Sequence, residues 1–170
     1  RRPLMAGSDG IRLSLAGAQD KVSVRVEDGN ISLPLNSAPS THILKPEIVT
    51  YEGIVSNESF CLALADIAGL TVAKATVGEV ENLEYLLVER FDREITGNGA
   101  IQRLHQEDFC QALGYPSQNK YQGEGGPSLK DCFALLREVS TSPVIDLMAL
   151  LDAVIFNFVI GNNDAHGKNY

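Results

Sequence analysis

Apolar and polar residues alternate along much of the chain between residues 11 and 94. Residues 22–26 read Val-Ser-Val-Arg-Val, and residues 31–35 alternate again after the turn sequence Asp28-Gly29-Asn30. A period of two is typical of a β-strand with one buried face, and Asp, Gly and Asn accept the positive φ of tight turns. The pattern therefore predicts a β-hairpin.

Similar runs at residues 41–45, 72–80 and 85–88 predict three further strands. Pro46 ends the first, and a mostly polar turn at residues 81–84 joins the other two into an antiparallel pair. One helix interrupts this sheet, and we expect Ser56 or Asn57 to cap it and Gly69 to end it. Four apolar residues with helical spacing form its stripe: Cys61, Leu64, Ala65 and Ala68.

The periodicity becomes helical from about Leu104 onward. Residues 106–113 and 129–139 predict two helices, separated by a loop at residues 116–127 that is rich in Gly, Ser, Gln and Asn. The pair Ser142-Pro143 predicts the start of a third helix, which runs to residue 160. Because this helix is apolar on most sides, we expect it to be buried at the centre of the helical half.

The chain therefore predicts an α+β fold in two parts. Residues 1–93 form a β-rich lobe with one helix, and residues 94–170 form a helical lobe. An antiparallel β-rich N-lobe followed by a helical C-lobe is typical of a bilobed protein-kinase-like fold. This layout alone is weak evidence for a function. The prediction of function therefore depends on the polar segments of the chain.

The acidic composition narrows the range of partners. The net charge is −8, whereas a general nucleic-acid binder needs clustered Lys and Arg, so we expect no direct nucleic-acid binding. No apolar run reaches the roughly 18 residues of a membrane span, so no membrane association is expected. The 3 cysteines form no CxxC pair and are expected to be reduced thiols in a cytoplasmic protein.

The segment from Ser14 to Lys21 is the first candidate for chemistry. It reads SLAGAQDK, and its small residues allow backbone N–H groups to approach phosphate oxygens. A tight hairpin turn explains the segment better when it is taken alone.

Two further candidates lie in the β-rich half. Lys45 ends an apolar strand, where a lysine either reaches solvent or holds the phosphates of a nucleotide. Glu58, expected in the first turn of the next helix, either pairs with Lys45 or favours the helix dipole. Residues 86–93 run from an apolar strand into a charged segment, which is either a nucleotide-binding hinge or an edge strand followed by a solvated turn.

The most informative candidate is the polar loop at residues 161–169, which follows the long apolar helix. It carries Asp164 and Asn169 five positions apart. Phosphoryl transfer needs a carboxylate that orients the attacking hydroxyl and an oxygen ligand for Mg²⁺, and this spacing matches a kinase catalytic loop. An exposed Asn/Asp/Gly turn is the simpler alternative, but such turns rarely follow a long apolar helix, so a functional loop is favoured.

Seven blocks occur in the order found in HipA-family serine/threonine kinases, and together they cover nearly the whole chain. The chain therefore resembles that family. The blocks are residues 14–21, 41–46, 57–58, 88–92, 105–108, 125–128 and 162–169.

The resemblance implies a role for each matching residue. Asp164 resembles the catalytic aspartate and Asn169 a Mg²⁺ ligand, while Ser14 resembles a serine that the family autophosphorylates. A phosphate at Ser14 would repel ATP from the adjacent loop. The residues that the resemblance assigns to ATP binding are Leu15, Ala16, Gly17, Ala18, Lys45, Glu89, Phe91, His166 and Lys168.

The same resemblance implies an ATP- and Mg²⁺-dependent protein kinase that is the toxin of a toxin–antitoxin pair. Its expected partners are a HipB-like helix-turn-helix antitoxin and a protein substrate of the aminoacyl-tRNA synthetase class. The sequence departs from ordinary protein kinases at Asn162, where those enzymes carry His. The kinase-like fold is also expected to be truncated after the catalytic loop, before the second metal-binding Asp, so the chain alone should be weak or inactive.

Two other functions stay open at this point. One is a non-catalytic module that binds a nucleotide or an antitoxin. The other is a small-molecule kinase of the aminoglycoside type, which uses the same Asp-to-Asn spacing but which the segment at residues 14–21 disfavours.

Overall fold

The computed structural model describes residues 20–35, 38–48, 51–97 and 99–170. It divides into two compact units, Arg1–Leu104 and His105–Tyr170. The sequence pattern placed this division after Arg93, so the two positions differ by one short hairpin. The expected autophosphorylation site Ser14 lies outside the described residues, as do the four residues of the expected phosphate loop, Leu15, Ala16, Gly17 and Ala18.

The first unit is built on a five-stranded sheet with the order β2-β1-β3-β5-β4, in which every neighbouring pair is antiparallel. The predicted hairpin at the start of the sheet is confirmed, because β1 and β2 pair with Glu27 opposite Asn30. The strands are β1 Val22–Glu27, β2 Asn30–Ser32, β3 His42–Pro46, β4 Ala75–Val80 and β5 Leu83–Glu89.

The pair β4–β5 is also confirmed, with a tighter turn than the sequence indicated. Glu81 and Asn82 alone connect the strands, at φ values of 51° and 63°. Two consecutive positive φ values are what a two-residue turn of the hairpin type requires. The four-residue turn predicted at 81–84 is therefore wrong, because Leu83 and Glu84 belong to β5.

Helix α1 spans Ile54–Ile67 and begins earlier than predicted. Neither Ser56 nor Asn57 caps it. Its first residue follows Gly53 at φ 80°, and the Glu47 carboxylate accepts hydrogen bonds from the N–H groups of Ile54 and Val55, at 3.1 Å each. A carboxylate there satisfies unpaired donors and complements the positive end of the helix dipole.

A second sheet of two strands completes this unit, β6 at Arg93–Ile95 and β7 at Ile101–Arg103. The sequence pattern did not predict this hairpin, since each strand has only three residues.

The second unit contains three helices, α2 Phe109–Ala112, α3 Leu129–Val139 and α4 Pro143–Val159. The prediction for α3 is confirmed, while α2 is much shorter than the predicted 106–113. Side chains cap both of these helices reciprocally, Asp108 with Gln111 and Ser128 with Asp131. The loop between them contains a short 3-10 turn at Gln122–Glu124.

Helix α4 is not the buried central helix that its composition predicts. It packs on α3, and among its residues only Leu150 is buried. Phe158 is 86% exposed, and Val144 and Val159 are 74% exposed. Apolar residues on most sides show what a helix is able to bury, but here every other residue of the helix stays partly or fully exposed. No helix in the described ranges has both the length and the apolar character needed to cross a membrane.

Candidate functional site

The polar loop that follows α4 is anchored to the end of that helix. Gly161 turns the chain at φ 69°, and the Asn162 side chain donates to Asn157 Oδ1 at 2.8 Å. The Asn162 side-chain oxygen in turn accepts from the Asp164 N–H at 3.1 Å. An amide at position 162 therefore links the helix to Asp164, which is a local reason for the departure from the His of ordinary protein kinases.

The Asp164 carboxylate stands at the centre of the loop and is 69% exposed. Asn169 Nδ2 donates to its backbone oxygen at 2.6 Å and lies 3.3 Å from Oδ2. The Tyr121 hydroxyl donates to Oδ1 at 3.0 Å, and His166 Nε2 lies 3.3 Å from the same atom. The structure therefore brings Asp164, His166 and Asn169 together, as the sequence suggested, and adds Tyr121 to them.

The pKa of Asp164 results from opposing effects. Partial burial raises it, but hydrogen bonds from Tyr121 and Asn169, with the nearby charges of His166 and Lys120, hold the pKa below its usual value. The carboxylate is therefore ionised at neutral pH. An exposed, ionised and well-oriented carboxylate is able to accept a hydrogen bond from an incoming hydroxyl group.

His166 is buried, with 8% of its surface exposed. Its Nδ1 atom accepts the Lys168 N–H at 3.2 Å, so in the neutral ring the proton must reside on Nε2, which faces Asp164. The ring also meets the Tyr121 ring edge-to-face, with 4.8 Å between centroids. His166 Nε2 therefore faces Asp164 at 3.3 Å.

Hydrogen bonds to α2 and to the segment before the 3-10 turn hold the loop at residues 161–169 in place. The Gly167 N–H donates to the Lys120 carbonyl at 3.1 Å, and the Cys110 N–H donates to the Gly167 carbonyl at 3.2 Å. A Cβ atom on Gly167 would lie 3.0 Å from Cys110 Sγ and closer still to Pro127. Glycine is therefore required at position 167 by close packing.

Lys168 does not face Asp164. Its Nζ atom pairs with Asp108 at 2.8 Å, beside the start of α2. In this structure the charge of Lys168 is thus used to hold the loop against α2.

Lys45 lies in the first unit and pairs with Glu58. The two side chains are joined by a direct ion pair and are both largely buried. Glu58 lies in the second turn of α1, because the helix begins at Ile54; the predicted first-turn position is wrong. A lysine held by a helix carboxylate is presented as a fixed cation, which is the form that a phosphate-binding lysine takes in kinases.

Lys21 is influenced by the charges of this pair, and sequence reasoning gave it no separate role. Burial lowers its pKa first, the nearby charge of Lys45 lowers it further, and Glu58 opposes both. The charges of Lys45 and Glu58 therefore both act on Lys21. The one available sequence signal was its place at the end of the 14–21 segment.

The proposed hinge at the end of β5 is built differently from the expectation. The N–H groups of Glu89 and Arg90 donate to the carbonyls of Lys74 and Thr41, at 2.8 and 2.9 Å. Both N–H groups are therefore already hydrogen-bonded to neighbouring segments of the sheet. Phe91 is 73% exposed, and its ring is free to contact an aromatic ligand.

No group of three His, Cys, Asp or Glu residues that would hold a metal occurs in the part of the chain that the structure describes. Asn169 nevertheless suits Mg²⁺. Its amide nitrogen is bonded to Asp164, so the amide oxygen is the atom left for a metal. Protein Mg²⁺ sites commonly use few protein oxygens together with substrate phosphates.

Comparison with known proteins places this chain in a family. The model of the HipA-like C-terminal domain matches residues 13–170, and the chain belongs to that family. The relatives' names describe kinases. A Sinorhizobium fredii protein named "Putative kinase Y4mE" is 53% identical over 99% of this chain and 40% of its own length.

The "Serine/threonine-protein kinase toxin HipA" of Shewanella oneidensis is 36% identical over 94% of this chain and 39% of its own length. A solved structure titled "Shewanella oneidensis MR-1 Toxin Antitoxin System HipA, HipB and its operator DNA complex" matches with a TM-score of 0.77 at 33% identity. That match covers 99% of this chain and 42% of the solved chain. The chain thus spans about two-fifths of the length of the proteins it matches.

Proposed function

We propose that the protein containing this chain is an ATP- and Mg²⁺-dependent serine/threonine protein kinase with a bilobed kinase-like fold. The observation that carries the proposal is the Asp164 carboxylate, which is exposed, ionised and oriented by hydrogen bonds from Asn169 and Tyr121 and by contact with His166. Membership of the HipA-like family supports the same chemistry.

In this proposal Asp164 orients the substrate hydroxyl and accepts its proton as the oxygen attacks the γ-phosphate of ATP. Lys45, fixed by Glu58, binds the α- and β-phosphates. The exposed Phe91 ring and the adjoining Glu89 carbonyl contact adenine. The residues 15–18 supply backbone N–H groups for phosphate, and Ser14 is a site of autophosphorylation that silences the kinase.

The remaining assignments concern the metal and the second unit. The amide oxygen of Asn169 holds Mg²⁺, which when bound neutralises charge on the phosphates. His166 and Lys168 contribute to ATP binding by keeping the loop in shape, since each is already paired with a carboxylate.

The proposed partners follow from the relatives. The solved Shewanella HipA structure is titled as a complex with HipB and operator DNA. We assign this protein a HipB-like antitoxin as its partner, the role of toxin, and a protein substrate such as an aminoacyl-tRNA synthetase. The net charge of −8 favours a protein without direct contacts to nucleic acid, and the free cysteines favour a cytoplasmic protein, for which we also propose no membrane contact.

The decisive experiment is phosphate transfer by the full-length protein with ATP and Mg²⁺, followed by intact mass and peptide mapping. Asp164→Asn is expected to lower the rate roughly 10²–10⁴-fold, because a positioned base is lost. Asp152→Asn is the matched control, since Asp152 is exposed on α4. Equal loss in both variants, or none in Asp164→Asn, would contradict the proposed role.

Lys45→Met tests nucleotide binding independently. It is expected to raise the KM for ATP, because the fixed cation opposite Glu58 is removed. A protein that takes up no phosphate and shows no thermal shift with nucleotide would instead be a non-catalytic module. Phosphorylation of amino alcohols in place of protein would indicate a small-molecule kinase.

A further inference from the structure

Tyr121 lies 43 positions before Asp164 in the chain, yet its hydroxyl donates to Asp164 Oδ1 at 3.0 Å. It comes from the loop between α2 and α3, which the sequence pattern presents as a simple polar connection. A tyrosine that reaches a catalytic carboxylate from another segment has a defined effect on that carboxylate.

The two oxygens of Asp164 have different partners. Oδ1 accepts a hydrogen bond from the Tyr121 hydroxyl and lies 3.3 Å from His166 Nε2 and 4.0 Å from Lys120 Nζ. Oδ2 is contacted by the Asn169 amide alone among the described residues, at the longer distance of 3.3 Å. Because an ionised carboxylate oxygen accepts about two hydrogen bonds, Oδ2, with its single long contact, retains accepting capacity, whereas the space around Oδ1 is occupied by Tyr121 and His166.

Hydrogen bonds hold the backbone around Tyr121 in place, which limits the movement of the side chain that carries the hydroxyl. The Tyr121 carbonyl accepts hydrogen bonds from Glu124 and Gly126, at 3.0 and 2.9 Å. A Cβ atom at Gly126 would lie 2.8 Å from that carbonyl oxygen, so the tight turn depends on glycine. The neighbouring Lys120 carbonyl accepts from Gly167 inside the catalytic loop, which ties the two segments together.

The Tyr121 ring also limits the movement of His166, the second group that lies beside Oδ1. It meets the buried His166 ring edge-to-face at 89°, while the Lys120 ammonium lies 5.0 Å from the tyrosine ring centroid. The ring thus limits rotation of His166, and the hydroxyl limits rotation of the carboxylate. Both contacts act on the same oxygen of Asp164.

We propose that Tyr121 is a positioning residue for phosphoryl transfer, which holds Oδ1 of Asp164 jointly with His166 and so presents Oδ2 to the substrate hydroxyl. The proposal rests on the proposed function of Asp164. Tyr121 touches neither the phosphate nor the attacking oxygen, and it acts only through the carboxylate that it orients.

The test is Tyr121→Phe in the full-length protein, which removes the hydroxyl and keeps the ring against His166. We expect kcat to fall about tenfold, as for a lost hydrogen bond to a charged group, with the KM for ATP changed less than about twofold. Tyr115→Phe is the matched control. Tyr115 lies in the same loop, and its hydroxyl makes no hydrogen bond to any residue that the structure describes.

A double variant separates positioning from general support of the fold. If Tyr121 acts through Asp164, the Tyr121→Phe change lowers the residual rate of Asp164→Asn much less than it lowers the wild-type rate. An equal fold-loss in both backgrounds, or a rise in KM for ATP with unchanged kcat, would overturn the positioning role. Wild-type kinetics of Tyr121→Phe would do the same.

The outcomes also distinguish this inference from the proposed function. An inactive Asp164→Asn variant beside a fully active Tyr121→Phe variant leaves the kinase and removes the role of Tyr121. A fully active Asp164→Asn variant removes both. Loss of thermal stability in Tyr121→Phe, with a proportionate loss of binding and turnover, would show a structural role only.

Discussion

Asp92 is a buried carboxylate that two arginines hold in place. Only 5% of its surface is exposed, and Arg90 donates to both carboxylate oxygens, at 2.9 and 2.8 Å. Arg93 adds a third bond at 2.6 Å, and both arginines also reach Ser40. This cluster fixes the segment that follows β5, in which the exposed Phe91 lies.

The cluster predicts a pH dependence of stability. Hydrogen bonds from Arg90, with the charges of both arginines, hold the pKa of Asp92 below its usual value against the effect of burial. A depressed carboxyl pKa contributes stability above the unfolded pKa of about 4, and the contribution is lost as the pH falls through the folded pKa. Urea unfolding at a series of pH values from 7 downward should show this loss.

Asp92→Asn should remove its share of that pH dependence and lower the free energy of unfolding at neutral pH by about 3–5 kcal/mol, the cost of breaking a buried ion pair on one side. Asp66→Asn, at an exposed position of α1, is the control. An unchanged slope in Asp92→Asn would mean that another carboxyl group dominates the acid transition.

The element that best illustrates long-range control is α1, since its start is set by a residue outside the helix. Glu47 accepts from two N–H groups at the first turn. Glu47→Ala should destabilise the protein by roughly 0.5–2 kcal/mol, the usual effect of losing a cap. Thermal unfolding beside Glu52→Ala, an exposed neighbour, measures it; equal shifts in both variants would argue against capping.

Because α1 also carries Glu58, the cap has a second effect. Fraying of the first turns would loosen the Lys45–Glu58 ion pair. In the proposed kinase, Glu47→Ala is therefore expected to weaken ATP binding as well as stability.

The same helices show what a sequence is able to predict. Helix α3 followed the prediction because its signals are local: Ser128 and Asp131 cap it from within three positions. The start of α1 was wrong because its cap lies seven and eight positions upstream, beyond any local pattern. Tyr121 was missed for the same reason, since its partner Asp164 is 43 positions away.

At the scale of the molecule, the α+β architecture with antiparallel sheets and four α-helices in the described residues follows from the two hydrophobic periods of the chain. The cluster of Asp164, His166 and Asn169 was also predicted, because those residues share one short loop. The pairing of Lys168 with Asp108 was not predicted, because Asp108 lies 60 positions earlier in the chain, beside α2.

The uncovered sides of α4 have a consequence for handling the protein in solution. Phe158, Val159 and Val144 of α4 have apolar side chains that are largely exposed in the described structure. Large exposed apolar patches promote self-association. This 170-residue span, produced by itself, should scatter more light as its concentration rises, and Phe158→Ser should reduce that scattering more than a substitution at the buried Leu150.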